Sequence, residues 1–155
     1  MPDRGVSPVV GVVCLTAVTV VLAAIVGTAV LGATPQPSTP SVPSASFGLA
    51  AEPSGDVTLV HRGGDAVDPE TIELFVRVGD EPLEWQPPVP FFSARGFESG
   101  PTGAFNSATT DTWEAGETAS FTVAGTNDPG LRAGETVTVR ISIDGHGVSA
   151  VETTV

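Results

Sequence analysis

Arg4-Gly5-Val6-Ser7-Pro8-Val9-Val10-Gly11 stands at the head of the sequence, and an uncharged apolar run continues from it to Gly32. Between Val9 and Leu31 there is no charged residue, no Asn, no Gln and no Pro. At about 1.5 Å per helical residue, a run of this length covers the ~30 Å hydrocarbon core of a bilayer. Val, Ile and Thr are frequent enough for strand propensity to be the local vote, but in lipid only a helix satisfies its backbone hydrogen bonds within one segment. Ser7 followed by Pro8 fits a helix start: the hydroxyl caps a free N–H, and proline sits in the first turn where its missing N–H costs nothing. A helix beginning at Pro8 is therefore expected.

Four kinds of segment come into question. A secretory signal has a basic n-region, an apolar core of roughly 7–15 residues and a cleavage site after that core; the n-region here is only Met1-Pro2-Asp3-Arg4-Gly5 and the apolar core is longer. A lipoprotein signal places Cys behind its apolar stretch, whereas Cys14 lies inside it, next to Val13. A plain single-pass anchor fits the length, and so does a helix that is cut free at its own start.

Gly5-Val6-Ser7-Pro8-Val9-Val10-Gly11 resembles the N-terminus of haloarchaeal type IV pilins, in which a prepilin peptidase cuts before the apolar helix. The resemblance covers about the first 32 residues. It implies cleavage between Gly5 and Val6, a cytoplasmic leader 1–5, a transmembrane and filament-core helix 6–32, and an assembly ATPase and a polytopic platform protein as partners. Bacterial members of the superfamily usually carry Glu near the start of the mature helix; this chain has Val9 and Val10 there, so no buried charge is available to set subunit register. Ala24, Thr28 and Gly32 fall on one i, i+4 ridge, with Ala23 and Gly27 on the adjacent one, which suits close approach of neighbouring helices. Gly and Ala are also simply common in membrane helices. Cys14, in an apolar setting, reads as a small hydrophobe rather than a reactive thiol.

Composition bounds the rest. The chain has 155 residues and a net charge of −12, with 18 acidic residues and 6 cationic ones, all of them Arg. Such a balance repels nucleic acid and anionic headgroups, which excludes a nucleic-acid binder. Acidity without Lys suits high salt, where the Debye length is only about 3 Å at 1 M and carboxylate repulsion is screened. With 1 Cys there is no intramolecular disulfide, so one extracytoplasmic domain must be held by its own core.

Ala33-Thr34-Pro35-Gln36-Pro37-Ser38-Thr39-Pro40-Ser41-Val42-Pro43-Ser44-Ala45 is too rich in proline for helix or central strand and reads as an extended spacer, 33–45. Its Ser and Thr residues are candidates for O-glycosylation by composition alone; neither Asn106 nor Asn127 lies in a sequon.

From Ser46 onward the pattern has period two. Phe47, Leu49 and Ala51 mark one strand; Val57, Leu59 and His61 a second; Arg62-Gly63-Gly64-Asp65 reads as a turn; and Ile72, Leu74, Val76 and Val78 give the clearest strand, ended by Gly79-Asp80-Glu81-Pro82. Residues 84–114 read as a loop-rich excursion with one or two short edge strands. Its Phe91, Phe92, Phe97, Phe105 and Trp113 either plug the open end of a sandwich, the favoured reading, or form a contact surface. An echo follows: Ala115-Gly116-Glu117-Thr118 leads into Ala119, Phe121 and Val123, and Ala133-Gly134-Glu135-Thr136 leads into Val137, Val139, Ile141 and Ile143. Asn127-Asp128-Pro129-Gly130 is a connecting turn, Asp144-Gly145-His146-Gly147 a hairpin loop, and Val148 to Val155 the last strand. About seven short strands with no helical period predict an all-β head at 46–155, an antiparallel immunoglobulin-like β-sandwich, preceded by one long hydrophobic N-terminal α-helix.

Chemistry is sparse. His61 and His146 lack any paired ligand spacing and read as surface or strand-end residues. Asp65, Asp68 and Glu70 share a turn whose oxygens suit calcium, but their spacing lacks an EF-hand pattern and any turn of so acidic a chain collects carboxylates. There is no Gly-X-Ser-X-Gly turn and no phosphate-cradling loop, so no enzyme, cofactor or metal is expected. The expected function is a structural subunit of a type IV pilus-like filament: a homo-oligomer built through the helix, membrane-inserted as precursor, then displayed at the cell surface with an acidic head that mediates adhesion. The alternative is a single-pass tether presenting a β-sandwich binding module.

Overall fold

The structure, a computed structural model, describes residues 6–32 and 41–155. The leader 1–5 and most of the spacer lie outside the described residues. Two compact units result, Met1–Ser41 and Val42–Val155.

Helix α1 runs from Val6 to Gly32 over 27 residues, two residues earlier than the Ser7-Pro8 cap predicts. The first four N–H groups of any helix lack intrahelical partners, so Pro8 is tolerated at the third helical position as well as at the first. Four hydroxyl bonds finish the surface of this helix. Thr16 Oγ1 donates to the carbonyls of Val12 and Val13 at 3.0 and 2.9 Å, Thr19 Oγ1 to Leu15 at 2.7 Å, and Thr28 Oγ1 to Ile25 at 2.9 Å. With these hydroxyls turned back on the backbone, the helix presents apolar groups on every side.

In the head, the described residues form seven strands: β1 Ala45–Ala51, β2 Asp56–Gly64, β3 Ile72–Val78, β4 Glu81–Pro82, β5 Thr118–Thr122, β6 Thr136–Ile143 and β7 His146–Thr154. They make two antiparallel sheets, ordered β1-β2-β5 and β4-β3-β6-β7. Alternation decides which side of each strand is buried: Val57, Leu59 and His61 on β2, Ala119 and Phe121 on β5, Ile72, Leu74, Val76 and Val78 on β3, and Val137, Val139, Ile141 and Ile143 on β6 all face the interior. Packed between the sheets they form one core, the arrangement expected of a sandwich.

The two echoed segments are one device used twice. Glu117 N–H donates to the Glu114 carbonyl at 3.1 Å with Gly116 at φ +96°, and Glu135 N–H donates to the Arg132 carbonyl at 3.1 Å with Gly134 at φ +87°. Both are turns with glycine at the third position, where a left-handed φ is required, and each delivers the chain into a strand. At the last hairpin Asp144 and Gly145 both have positive φ, 51° and 74°, as a two-residue primed turn demands.

Two expectations need correction. Gly63-Gly64 is not a turn: β2 continues through both glycines, which pair with Ser46 and Ala45 across a bulge. Asp65 Oδ2 accepts the Ser44 N–H at 3.0 Å just beyond, holding the strand ends together. The excursion 84–114 contains no edge strand, only single bridges: Phe91 to Asn106 within itself, Thr102 to Ser120 of β5, Phe97 to Val123 just past β5, and Trp113 to Val67 between β2 and β3. Its prolines and glycines prevent a ladder from propagating.

Candidate assembly helix and head surface

The small-residue ridge of α1 is described at Ala23, Ala24, Gly27 and Thr28; Gly32 closes the helix, and Gly5 lies outside the described residues while Val6 is the first helical residue. A Cβ placed on Gly27 meets nothing within 4 Å, so nothing within the helix requires a glycine there. The Thr28 hydroxyl is already satisfied by the Ile25 carbonyl, which leaves its methyl as the outward contact. Val9, Leu15 and Val21, which point to different sides of the helix, are all more than half exposed. A surface so uniformly apolar is stable only in lipid or against other apolar surfaces. Cys14 is a free thiol on that surface.

The head holds no comparable reactive assembly. His61 is fully buried rather than at the surface: its ring stacks on Phe47 at 5.1 Å and lies 5.7 Å from Trp113, and Nδ1 is 3.1 Å from the Trp113 carbonyl oxygen. It sits in the inward register of β2, where alternation places it beside Val57 and Leu59. His146 is exposed at the start of β7, with Nδ1 2.9 Å from the Asp144 carbonyl oxygen. Asp65 and Asp68 serve the backbone: Asp68 Oδ1 accepts the Glu70 N–H at 3.0 Å at the start of a one-turn helix. Among the described residues, no three His, Cys, Asp or Glu side chains converge as a metal centre.

Of the five aromatics named from the sequence of this loop, four plug the sandwich. Phe91, Phe97, Phe105 and Trp113 are buried and in ring contact with one another or with Phe121, while Phe92 remains exposed. Two polar residues that sequence reading passed over hold this excursion in place. Asn127, 1% exposed, binds Trp85 through both ends of its amide and also donates to the Gly96 carbonyl at 3.2 Å. Gln86 Oε1 accepts the Val76 N–H at 2.7 Å and Nε2 donates to the Val76 carbonyl at 3.0 Å, occupying the edge of β3 where β4 has ended. Only the Asn-Asp-Pro-Gly turn hinted at Asn127, and partners 42 residues away leave no local trace.

The acidity of Asp56 is set by its neighbours. Its carboxyl is held below the ordinary value of 3.8 by the Thr122 hydroxyl first and the Ser54 hydroxyl second, against a small opposing effect of burial. The donor distances are 2.6 and 2.8 Å. A cavity of about 370 Å³ beside Trp113 is lined by Thr109, Asp111 and Glu117 among others, but Glu117 is already engaged by the Glu114 N–H at 2.9 Å. Nothing there pairs a nucleophile with a base.

Comparison with known proteins bears on the N-terminal segment above all. Residues 4–45 match the family model of the archaeal type IV pilin N-terminal domain, a structural and not an enzymatic family. An uncharacterized protein of Archaeoglobus fulgidus is 39% identical over 83 residues, covering 52% of this chain and 57% of that protein's length.

Proposed function

We propose, from the premise that residues 4–45 are an archaeal type IV pilin N-terminal segment, that the chain is the precursor of a surface-filament subunit. The observation that carries this reading is the coincidence of the matched segment with a 27-residue helix, α1, that is apolar on every side and begins at Val6. Cleavage between Gly5 and Val6 removes the charged leader and leaves the helix whole from its first residue.

The energetics of assembly follow from that helix. In the membrane its apolar groups are buried in lipid, and in a filament they are buried against copies of themselves, so extraction exchanges one apolar environment for another. The ridge of Ala23, Ala24, Gly27, Thr28 and Gly32 brings helix backbones close. Without a charged residue in the helix, register is set by shape alone. A prepilin peptidase, an assembly ATPase and a platform protein supply cutting and work.

The head, with all but Asp3 of the chain's 18 acidic residues beyond the helix and spacer, faces saline solvent on the outside of the fibre and meets surfaces there. Immunogold labelling with antiserum raised against the head tests the proposal: continuous decoration of thin surface filaments, absent in cells lacking the gene, is the expected result. Labelling confined to the cell envelope contradicts it and favours a tethered binding module.

A further inference from the structure

Two cavities adjoin the segment 106–113 and share Thr109 as a wall. One, of about 370 Å³, is the cavity beside Trp113, with Ala104, Asp111, Thr112 and Thr118 also in its lining. The other, of about 270 Å³, is lined by Asp68, Glu70, Pro90, Ser107 and Thr110. The segment between them is held by its own hydrogen bonds. Asn106 Oδ1 accepts the Ala108 N–H at 2.9 Å while Nδ2 donates to the Pro101 carbonyl at 2.8 Å, and the Thr109 N–H donates to the Asn106 carbonyl at 2.9 Å. The N–H groups of Ser107 and Trp113 donate to the Phe91 and Val67 carbonyls. A wall fixed in this way loses little conformational freedom when a ligand binds.

The polar groups of the lining are free to act. Several hydroxyls of the head are spent inside the protein: Ser46 on Gly63, Thr71 on Asp68, Thr102 with Ser120, and Thr122 on Asp56. Among the described residues, the hydroxyls of Ser107, Thr109, Thr110, Thr112 and Thr118 make no such bond. Asp68 and Glu117 each hold one backbone N–H with one carboxylate oxygen and keep the other. No cationic side chain lines either cavity, so nothing there neutralises a phosphate, sulfate or carboxylate. Carboxylates only accept hydrogen bonds, whereas hydroxyls both donate and accept. The lining therefore suits a ligand rich in donors that also offers acceptors to the threonines. An amine offers donors alone; a polyhydroxylated ligand offers both.

We infer that the two cavities are adjacent subsites for a neutral carbohydrate chain, one sugar unit in each, with Thr109 between them. Sugar hydroxyls donate to Asp111 and Glu117 in the first subsite and to Asp68 and Glu70 in the second, in bonds strengthened by the charge on the acceptor. Ala104 and Trp113 give the first subsite an apolar floor for the CH groups of a ring, and Pro90 does so in the second. Contact-range hydrogen bonds of this kind persist in salt that screens attraction by charge alone. The inference rests on the reading of the head as the part that meets surfaces, and names the chemistry it grips there.

The test uses the full-length protein purified in a detergent without a sugar headgroup, so that it does not depend on entry into filaments. Retention is measured in molar salt on a printed panel of neutral, amino-sugar and uronic-acid oligosaccharides. The expected result is retention on neutral oligosaccharides of two or more units, with single sugar units held several-fold more weakly. Thr109→Val keeps the shape of the side chain and removes the hydroxyl that both cavities share. It is expected to lower retention about tenfold at an unchanged denaturation midpoint, while Thr109→Ser retains binding. No retention on any neutral member overturns the inference and leaves the filament reading standing. Preference for amino-sugar or uronic-acid members overturns the neutral class, and equal retention of the wild-type chain and Thr109→Val overturns the placement of the site. A chain that binds these sugars but is absent from the sheared-surface fraction counts against the filament reading alone.

Discussion

The side-chain amide of Asn127 pairs in both directions with the backbone of Trp85: the Trp85 N–H donates to Oδ1 at 3.0 Å, and Nδ2 donates to the Trp85 carbonyl at 2.9 Å. One side chain thus does for the 84–114 excursion what a strand partner does within a sheet. Asn127→Ala leaves two backbone polar groups without partners in a partly buried setting, the Trp85 N–H and C=O, while the Gly96 C=O keeps the Ala124 N–H. A loss of roughly 2–4 kcal/mol in head stability is expected, read as a shift of the denaturation midpoint followed by tryptophan fluorescence.

Asp56 gives the head an acid-sensitive contribution whose sign is fixed by the direction of its shift. Because its carboxyl is held below the ordinary 3.8 in the fold, its stabilising contribution is fully present above that value and is lost as pH falls through the lowered one. The stability difference between the wild-type chain and Asp56→Asn is therefore greatest near neutrality and shrinks below about pH 3.8. Comparing the two proteins at each pH cancels the general easing of carboxylate repulsion that they share. A difference that stays constant from pH 7 to pH 2 on denaturation curves contradicts this assignment.

Gly64 carries the chain from β2 toward Asp65 with φ at +110°, and a Cβ there collides with the Ser44 carbonyl oxygen. Gly64→Ala is expected to cost about 1–3 kcal/mol, whereas the same change at Gly147, where a Cβ meets nothing within 4 Å, is expected to cost much less. Urea denaturation of the two variants side by side checks the contrast.

These positions also show what could be read in advance. The strands are legible because alternation leaves a trace at every second residue: β3 and β6 expose Glu73 and Arg140 as regularly as they bury Leu74 and Ile141. The paired turns were legible because Ala-Gly-Glu repeats with glycine where φ is positive. Gly63-Gly64 misled because two glycines signal a turn locally, while the pairing with Ala45 and Ser46 that makes them strand comes from residues about 20 positions away. His61 misled for a related reason: alternation placed it inward, yet its polarity argued for the surface, and the Phe47 and Trp113 rings that accommodate it are distant in sequence. The helix needed no long-range information, because lipid leaves a single apolar segment no other way to satisfy its backbone.

Gly27 separates contacts within the chain from contacts between chains. Beyond the helix's own backbone and the two chain neighbours, no atom lies within 4 Å of a Cβ at this position, so Gly27→Leu adds an apolar side chain that is compatible with lipid and meets no packed group of the protomer. Membrane levels of the precursor are expected to stay unchanged while filament recovery falls at least several-fold. Equal filament recovery would remove the close-packed ridge from the assembly account.

The junction before α1 is tested by changing it. Gly5→Phe places a bulky side chain immediately before the proposed cut while leaving Val6 and the helix untouched, and is expected to hold the uncut chain in the membrane. Immunoblots of membrane and sheared fractions check this; filaments containing the uncut chain would contradict it.

The central claim is that the helix is freed at its own first residue and leaves the bilayer. Mass spectrometry of the protein's N-terminus, in membrane and sheared-surface fractions from the same cells, measures this directly. A chain beginning at Val6 in the sheared fraction is the predicted result. A chain that retains Gly5 and is found only in the membrane would contradict the claim and make α1 a permanent anchor.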